Sequence, residues 1–222
     1  MSTRRTAIAV AATALVCIPA SAVAHGTFAK PPRPGTAVPA LPAGQDNPMI
    51  SDGVAIGANT PIYKSSGLGP SALNTAAPGG SEQRYIDTAV FPAGVLPAGV
   101  TITEAQGINV LRRIGENLAK QGLSYDDVIT MRVFLQNSTG AVTADFAGWN
   151  RAYRQFFANT SLSTGKAINV PMGSAAPAPP MVVNPARPSR AALEIENLPV
   201  GGWLVEVEVD AVFPSKGKGH KH

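Results

Sequence analysis

Cysteine and histidine are almost missing from this chain. Its 222 residues include one cysteine, Cys17, and three histidines, His25, His220 and His222, all near the ends. A Ser-His-Asp triad or a histidine-built metal centre inside the domain is thereby excluded unless a tail folds back. Charge is sparse as well, at 14% of residues. There is no phosphate-cradling Walker loop and no dinucleotide glycine fingerprint after a strand. No internal repeat is evident. Any catalysis must come from arginine, carboxylate, hydroxyl or backbone groups. What the chain does have is 45% hydrophobic residues, enough for a core, and 20 prolines with 22 glycines, which call for long loops.

The N-terminal 24 residues read as a secretory signal. Arg4 and Arg5 precede the apolar run TAIAVAATALVCIPA, and AVA ends at Ala24 as a small-residue cleavage site. The run is short for a membrane span, and no other segment approaches span length. The arginine pair raises a twin-arginine export signal, but the following residues fit it poorly. Cleavage after Ala24 would remove Cys17, so the exported protein would have neither disulfide nor thiol. Residues 25–48 read as a Pro-rich extended linker, 49–214 as one domain, and 215–222, SKGKGHKH, as a basic solvated tail. Between 25 and 214 stand 13 lysines and arginines against 14 carboxylates. Such a near-neutral body predicts no nucleic-acid partner, and the sequence predicts no membrane partner once the signal is gone.

Along the domain, VAIG and PIYKSSG are short strand candidates, and RYIDTAVF is a further one. A helix is predicted from about Thr103 to Gln121. Thr101 with Glu104, or Thr103 with Gln106, would cap it, Ile108, Leu111, Ile114 and Leu118 form its stripe, and Gly122 stops it. A strand follows with Ile129, Met131, Val133 and Leu135 on one face. Asp145 caps a second helix with Phe146, Trp149, Tyr153, Phe156 and Phe157 on its core side. A Pro-rich loop from about 161 to 188 leads to two last strands, RAALEIENL and GWLVEVEVDAV, expected to pair as a hairpin. The order predicts an α+β domain, two helices on one face of a mostly antiparallel or mixed sheet.

The end of the chain concentrates charge. In the last strand Val205, Val207, Val209 and Ala211 alternate with Glu206, Glu208 and Asp210. The acidic face either meets solvent or meets another subunit and encloses a site. Arg190 opens the preceding strand. It is either a salt-bridging surface arginine or a carboxylate clamp, since a guanidinium offers a planar two-pronged donor.

YKSSGLGP, NVLRRIGENLAKQGLSYDDVITMRVFLQN, DFAGWNRAYRQFF and RPSRAALEIENLPVGGWLVEVEVDAV resemble, in this order, the RidA (YjgF-type) family of reactive-intermediate deaminases, over roughly residues 54–213. The resemblance implies a chorismate-mutase-like α+β fold and a homotrimer whose sheets line an inner barrel, with sites at subunit interfaces. It implies hydrolysis of 2-imino or 2-enamino acids, of the 2-iminobutanoate and 2-iminopropanoate kind, to 2-oxo acids and ammonia without metal or cofactor. By that resemblance Arg190 clamps the substrate carboxylate. Glu206, on a neighbouring strand, positions the water, allowing one extra residue in the turn from Val200 to Gly202. Ser66, Gly67 and Asn150 line the pocket. Ala192 stands where a pocket cysteine is common, and the pocket tyrosine has no counterpart near Ile50. The stretches Leu68–Ile102 and Ala158–Ser189 are much longer than in small members. Two rival classes are a secreted small-molecule-binding module without turnover and an interaction protein that uses the long loops.

Overall fold

The computed structural model describes residues 30–214; the expected signal segment (1–24) and basic tail (215–222) lie outside them. Six strands and two α-helices follow in order: β1 (Ala37–Ala40), β2 (Gly53–Ile56), β3 (Ile62–Lys64), α1 (Ile102–Ala119), β4 (Val128–Leu135), α2 (Phe146–Arg154), β5 (Ser189–Glu194) and β6 (Val205–Val212). β1 and β2 form a small antiparallel pair. The main sheet runs β3-β6-β4-β5, mixed because β4 and β5 are parallel while its other pairs are antiparallel.

Helix α1 begins where the Thr101 hydroxyl accepts a bond from the Glu104 amide. It ends where Gly122, at φ +70°, lets the Leu123 amide reach back to the Leu118 carbonyl. The stripe Ile108, Leu111, Ile114 and Leu118 is fully buried. In α2, Trp149 and Tyr153 are buried and Phe156 and Phe157 follow in the turn beyond, but Phe146 is exposed because it opens the helix on its outer side. The two helices approach closely at Gly107. A Cβ there would lie 2.7 Å from the Ala152 methyl.

Beneath them lie Met131, Val133 and Leu135 of β4 and Val205, Val207, Val209 and Ala211 of β6, all solvent-free. A register shift between Val128 and Thr130 puts Val128, and not the expected Ile129, into this core.

The expected last hairpin does not form. β4 lies between β5 and β6 and pairs with both, because its apolar alternation fits each neighbour. The connection from 195 to 204 passes over the end of β4, where the Leu198 amide donates to Gln136 Oε1. RYIDTAVF is no strand either: Glu82–Tyr85 is a 3-10 helix, and Asp87 is drawn inward to Arg112 of α1. Nor is the Pro-rich stretch wholly unstructured, since β1 falls inside it. Asn47 and Pro48 present oxygens to Arg154 and Arg187.

Candidate functional site

The expected site residues fall into two groups. Arg190 stands level with Met131 in the β4–β5 pairing, so its side chain takes the helix-facing side of the sheet. There its Nη2 donates to Asn150 Oδ1 of α2 at 2.8 Å, and its guanidinium carbon lies 4.6 Å from the centre of the Tyr153 ring. The Met49 sulfur is 3.7 Å from the same Nη2. Nη1 is buried and has no hydrogen-bond partner among the described residues. A buried donor left unmade costs about 1–3 kcal/mol, so this nitrogen marks a place where an acceptor is wanted. Burial also pulls the Arg190 pKa below its ordinary value. Ala192, two residues on, shares this side, level with Val133, and packs against the core.

Around Arg190 stand two further arginines. Arg154 donates to both oxygens of Asn47 and to the Ala158 carbonyl. Arg187 is 3% exposed and bonded to the carbonyls of Pro48, Pro185 and Thr160. Burial lowers the pKa of each. None of the three is ion-paired among the described residues, so they form a positive well in which one buried nitrogen lacks an acceptor.

The second group lies on the opposite face. Glu206 is level with Phe134, and Glu208 with Arg132. Arg132 Nε donates to Glu208 at 2.6 Å. Its two Nη atoms grip Asp210 at 3.1 and 3.0 Å, and Lys64 adds a contact at 3.2 Å. Burial works against the Asp210 carboxylate, but these bonds overcome it and hold its pKa low. No cation or hydrogen bond reaches the Glu206 carboxylate among the described residues. Burial, with the Glu208 charge nearby, raises its pKa.

Gly67 makes room for it, since a Cβ there would collide with Glu206 Oε1. Between Ser65, bonded to Val209, and Leu68, bonded to Val207, the two residues Ser66 and Gly67 stand opposite Glu208 alone. That bulge brings the Gly67 backbone against the carboxylate and leaves Ser66 exposed.

Arg190 and Glu206 therefore do not meet within one chain. They are on opposite faces, with β4 between their strands, and Glu206 is not on a strand neighbouring Arg190 as expected. The sequence reading also missed Met49 and took Tyr153 for core alone. Tyr153 is fully buried yet offers a ring face to Arg190. Their sequence distances of 141 and 37 residues from Arg190 leave no local signal of either contact. A cleft of ≈ 540 Å³ runs by the start of β5, lined by Ser51, Thr130, Arg132, Ser189 and Arg190 itself. Larger cavities of ≈ 680 and ≈ 740 Å³ enclose neither Arg190 nor Glu206.

Comparison with known proteins places these residues. The family described as Endoribonuclease L-PSP matches residues 81–213. Among solved structures, a conserved Rid-family protein of unknown function, YyfB from Yersinia pestis, aligns at 16% identity and TM-score 0.44, over 80% of this chain and 98% of its own. A YjgF/YER057c/UK114 family member from Mycobacterium tuberculosis aligns at 19% and 0.37, over 80% and 100%. E. coli TdcF with bound serine aligns at 22% and 0.39, over 82% and 93%. No curated protein matches the chain. Since the matched span holds α1, β4, α2, β5 and β6, and with them Asn150, Arg190 and Glu206, the chain belongs to the Endoribonuclease L-PSP family, the YjgF/RidA group.

Proposed function

We propose that this protein hydrolyses reactive 2-imino and 2-enamino acids to 2-oxo acids and ammonia, at sites each shared between two copies of a homotrimer. The observation that carries the reading is the Arg190 guanidinium. It is fixed by Asn150 and Tyr153 yet keeps one buried nitrogen without an acceptor, as a carboxylate clamp requires. The opposite placement of Glu206 supports a shared site, because Glu206 with Ser66 and Gly67 would have to come from another copy.

In this mechanism the carboxylate of the substrate is held by Arg190, and Glu206 holds a water against the imine carbon. Water adds to that carbon and gives a proton to Glu206. The carboxyl returns that proton to the nitrogen, giving a carbinolamine, and then carries the hydroxyl proton to the amino nitrogen as the carbonyl forms and the C–N bond breaks to release ammonia. Burial and the Glu208 charge raise the pKa of Glu206, which favours its taking up a proton from water. No step calls for a metal or cofactor. Orientation does most of the work, since the imine is already reactive. The leader through Ala24 directs the protein out of the cytoplasm in this reading, so the exported form should begin at His25.

The family description names an RNA-cleaving activity. That activity is not carried over: an RNA backbone is held by surplus positive charge, and residues 25–214 carry none. The alternative is a secreted binding module, or an interaction protein, with the clamp but no turnover.

The test generates 2-iminopropanoate in place with an amino-acid oxidase and adds semicarbazide as competitor. The protein should divert imine to pyruvate. Arg190→Ala should lose activity on the order of 100-fold or more, and Arg190→Lys nearly as much, since lysine keeps the charge but not the two-pronged geometry. Glu206→Gln should lose turnover and keep carboxylate binding. No diversion by folded wild-type protein would leave the binding-module reading.

A further inference from the structure

We infer that Met49 gates the Arg190 clamp and, once displaced, forms the apolar wall that decides which ligand side chains fit beside it. This rests on the reading of Arg190 as a carboxylate clamp. Nη1 lacks a partner and is also shut off from solvent, so a carboxylate reaches it only if a neighbour moves. Tyr153 is held in place. It is fully buried, its hydroxyl donates to the Met49 carbonyl at 2.9 Å, and its ring stacks on Phe157 with centroids 5.3 Å apart. Asn150 sits on α2 and is engaged by Nη2.

The backbone around Met49 is tied down too. Arg154 grips Asn47, Arg187 holds the Pro48 carbonyl at 2.8 Å, and Ser51 pairs with Ser189. Of the three side chains seen against the guanidinium, Asn150, Tyr153 and Met49, that leaves Met49. It is partly buried, and the polar contact it makes with the clamp is its sulfur, 3.7 Å from Nη2. A thioether is unbranched and rotates about three bonds, so it swings where a ring or a pinned strand does not. Opening is therefore one side-chain rotation with the strap 47–51 in place. Arg154 and Arg187 spend their donors on carbonyls and on Asn47, which leaves a single carboxylate to be met at Arg190. The ligand class is a 2-imino or 2-oxo monocarboxylate with a short apolar side chain, whose end would lie against the displaced thioether.

The experiment titrates pyruvate into the full chain as wild type, Met49→Ala, Met49→Leu, Arg190→Ala and the Met49→Ala/Arg190→Ala double variant, with thermal melts to establish folding. Met49→Ala should bind pyruvate about 3- to 10-fold more tightly, because no rotamer has to be displaced. It should also shift imine turnover toward leucine- and phenylalanine-derived imines relative to the alanine-derived one. Met49→Leu, which fills similar volume with a stiffer branch, should show neither gain. Should Met49→Ala not fold, Met49→Val, which also ends short of the guanidinium, carries the same comparison. Arg190-dependent binding of equal or lower affinity in the folded short variant overturns the gate and leaves the clamp standing. Tighter binding that persists in the double variant overturns it as well, since the ligand would sit elsewhere. Absence of Arg190-dependent binding in every variant brings down the clamp and the gate together.

Discussion

At the scale of single residues, Glu206, Glu208 and Asp210 share one strand face but not one environment. Asp210 and Glu208 are held by Arg132, while Glu206 is met by no cation among the described residues. Their stabilities should therefore respond to pH with opposite signs. The fold binds the Glu206 proton more tightly than the unfolded chain does. Its contribution is present below the ordinary glutamate range and is lost as pH rises through the raised value. Glu206→Gln should thus be at least as stable as wild type near pH 7 and lose that advantage near pH 4. Asp210 is the reverse: its contribution is present above the ordinary aspartate range and is lost as pH falls through the lowered value. Asp210→Asn should cost roughly 1–3 kcal/mol near neutrality and progressively less in acid. Urea unfolding of both variants across pH is the check, and parallel curves would contradict the assignment. Arg187 is no neutral control for Arg190. Four acceptors hold it in the interior, so truncating it attacks the fold itself.

At the scale of elements, the two helices are joined cap to cap. Asp145 caps α2 by accepting from the Gly148 amide at 2.7 Å, and its other oxygen accepts from the Thr101 hydroxyl at 2.5 Å. Thr101 in turn caps α1. Gly148 is required at this junction, because a Cβ would strike both Asp145 and Thr101. Asp145→Ala should cost roughly 2 kcal/mol, about 4–8 °C in melting temperature, and Asp145→Asn should fall between it and wild type. An Asp145→Asn variant as stable as wild type would show that the link between the helices contributes nothing beyond a single cap, since asparagine keeps an acceptor for Gly148 and gives up the oxygen that Thr101 meets. Asp145 is legible in the sequence as a cap, and Thr101 as one of two candidates beside Thr103, between which the structure chose. The bond between Thr101 and Asp145 is not legible there, because it joins residues 44 positions apart.

At the scale of the whole molecule, the shared-site reading makes a mixing prediction. Arg190→Ala and Glu206→Gln should each be inactive alone. Unfolded together and refolded as mixed trimers, they should recover about one quarter of wild-type activity, because a site then draws its intact arginine from one copy and its intact glutamate from another. Light scattering of the wild-type protein should give a trimer. No recovery from a confirmed mixed trimer would place both residues of each site in one copy, at odds with their opposite faces in the fold.

The sequence by itself determined a helix from about Thr103 to Gln121, found at Ile102–Ala119, together with its stop, the inward set of β6 and the α+β class, because each rests on local spacing or alternation. Arg190 and Glu206 are singled out only through resemblance to the family, since the lone arginine and the acidic face each have a plain structural alternative. Only the tertiary structure decided that β4 separates β5 from β6, because strand neighbours are chosen by long-range pairing and not by order along the chain. The same holds for Met49 lying on Arg190. It holds too for the choice among three carboxylates on one strand: among the described residues Glu206 is the one without a cation, because Arg132, more than 70 residues earlier, reaches the other two. Burial and charge partnership are properties of the assembled chain, and period-2 alternation treats all three acids alike.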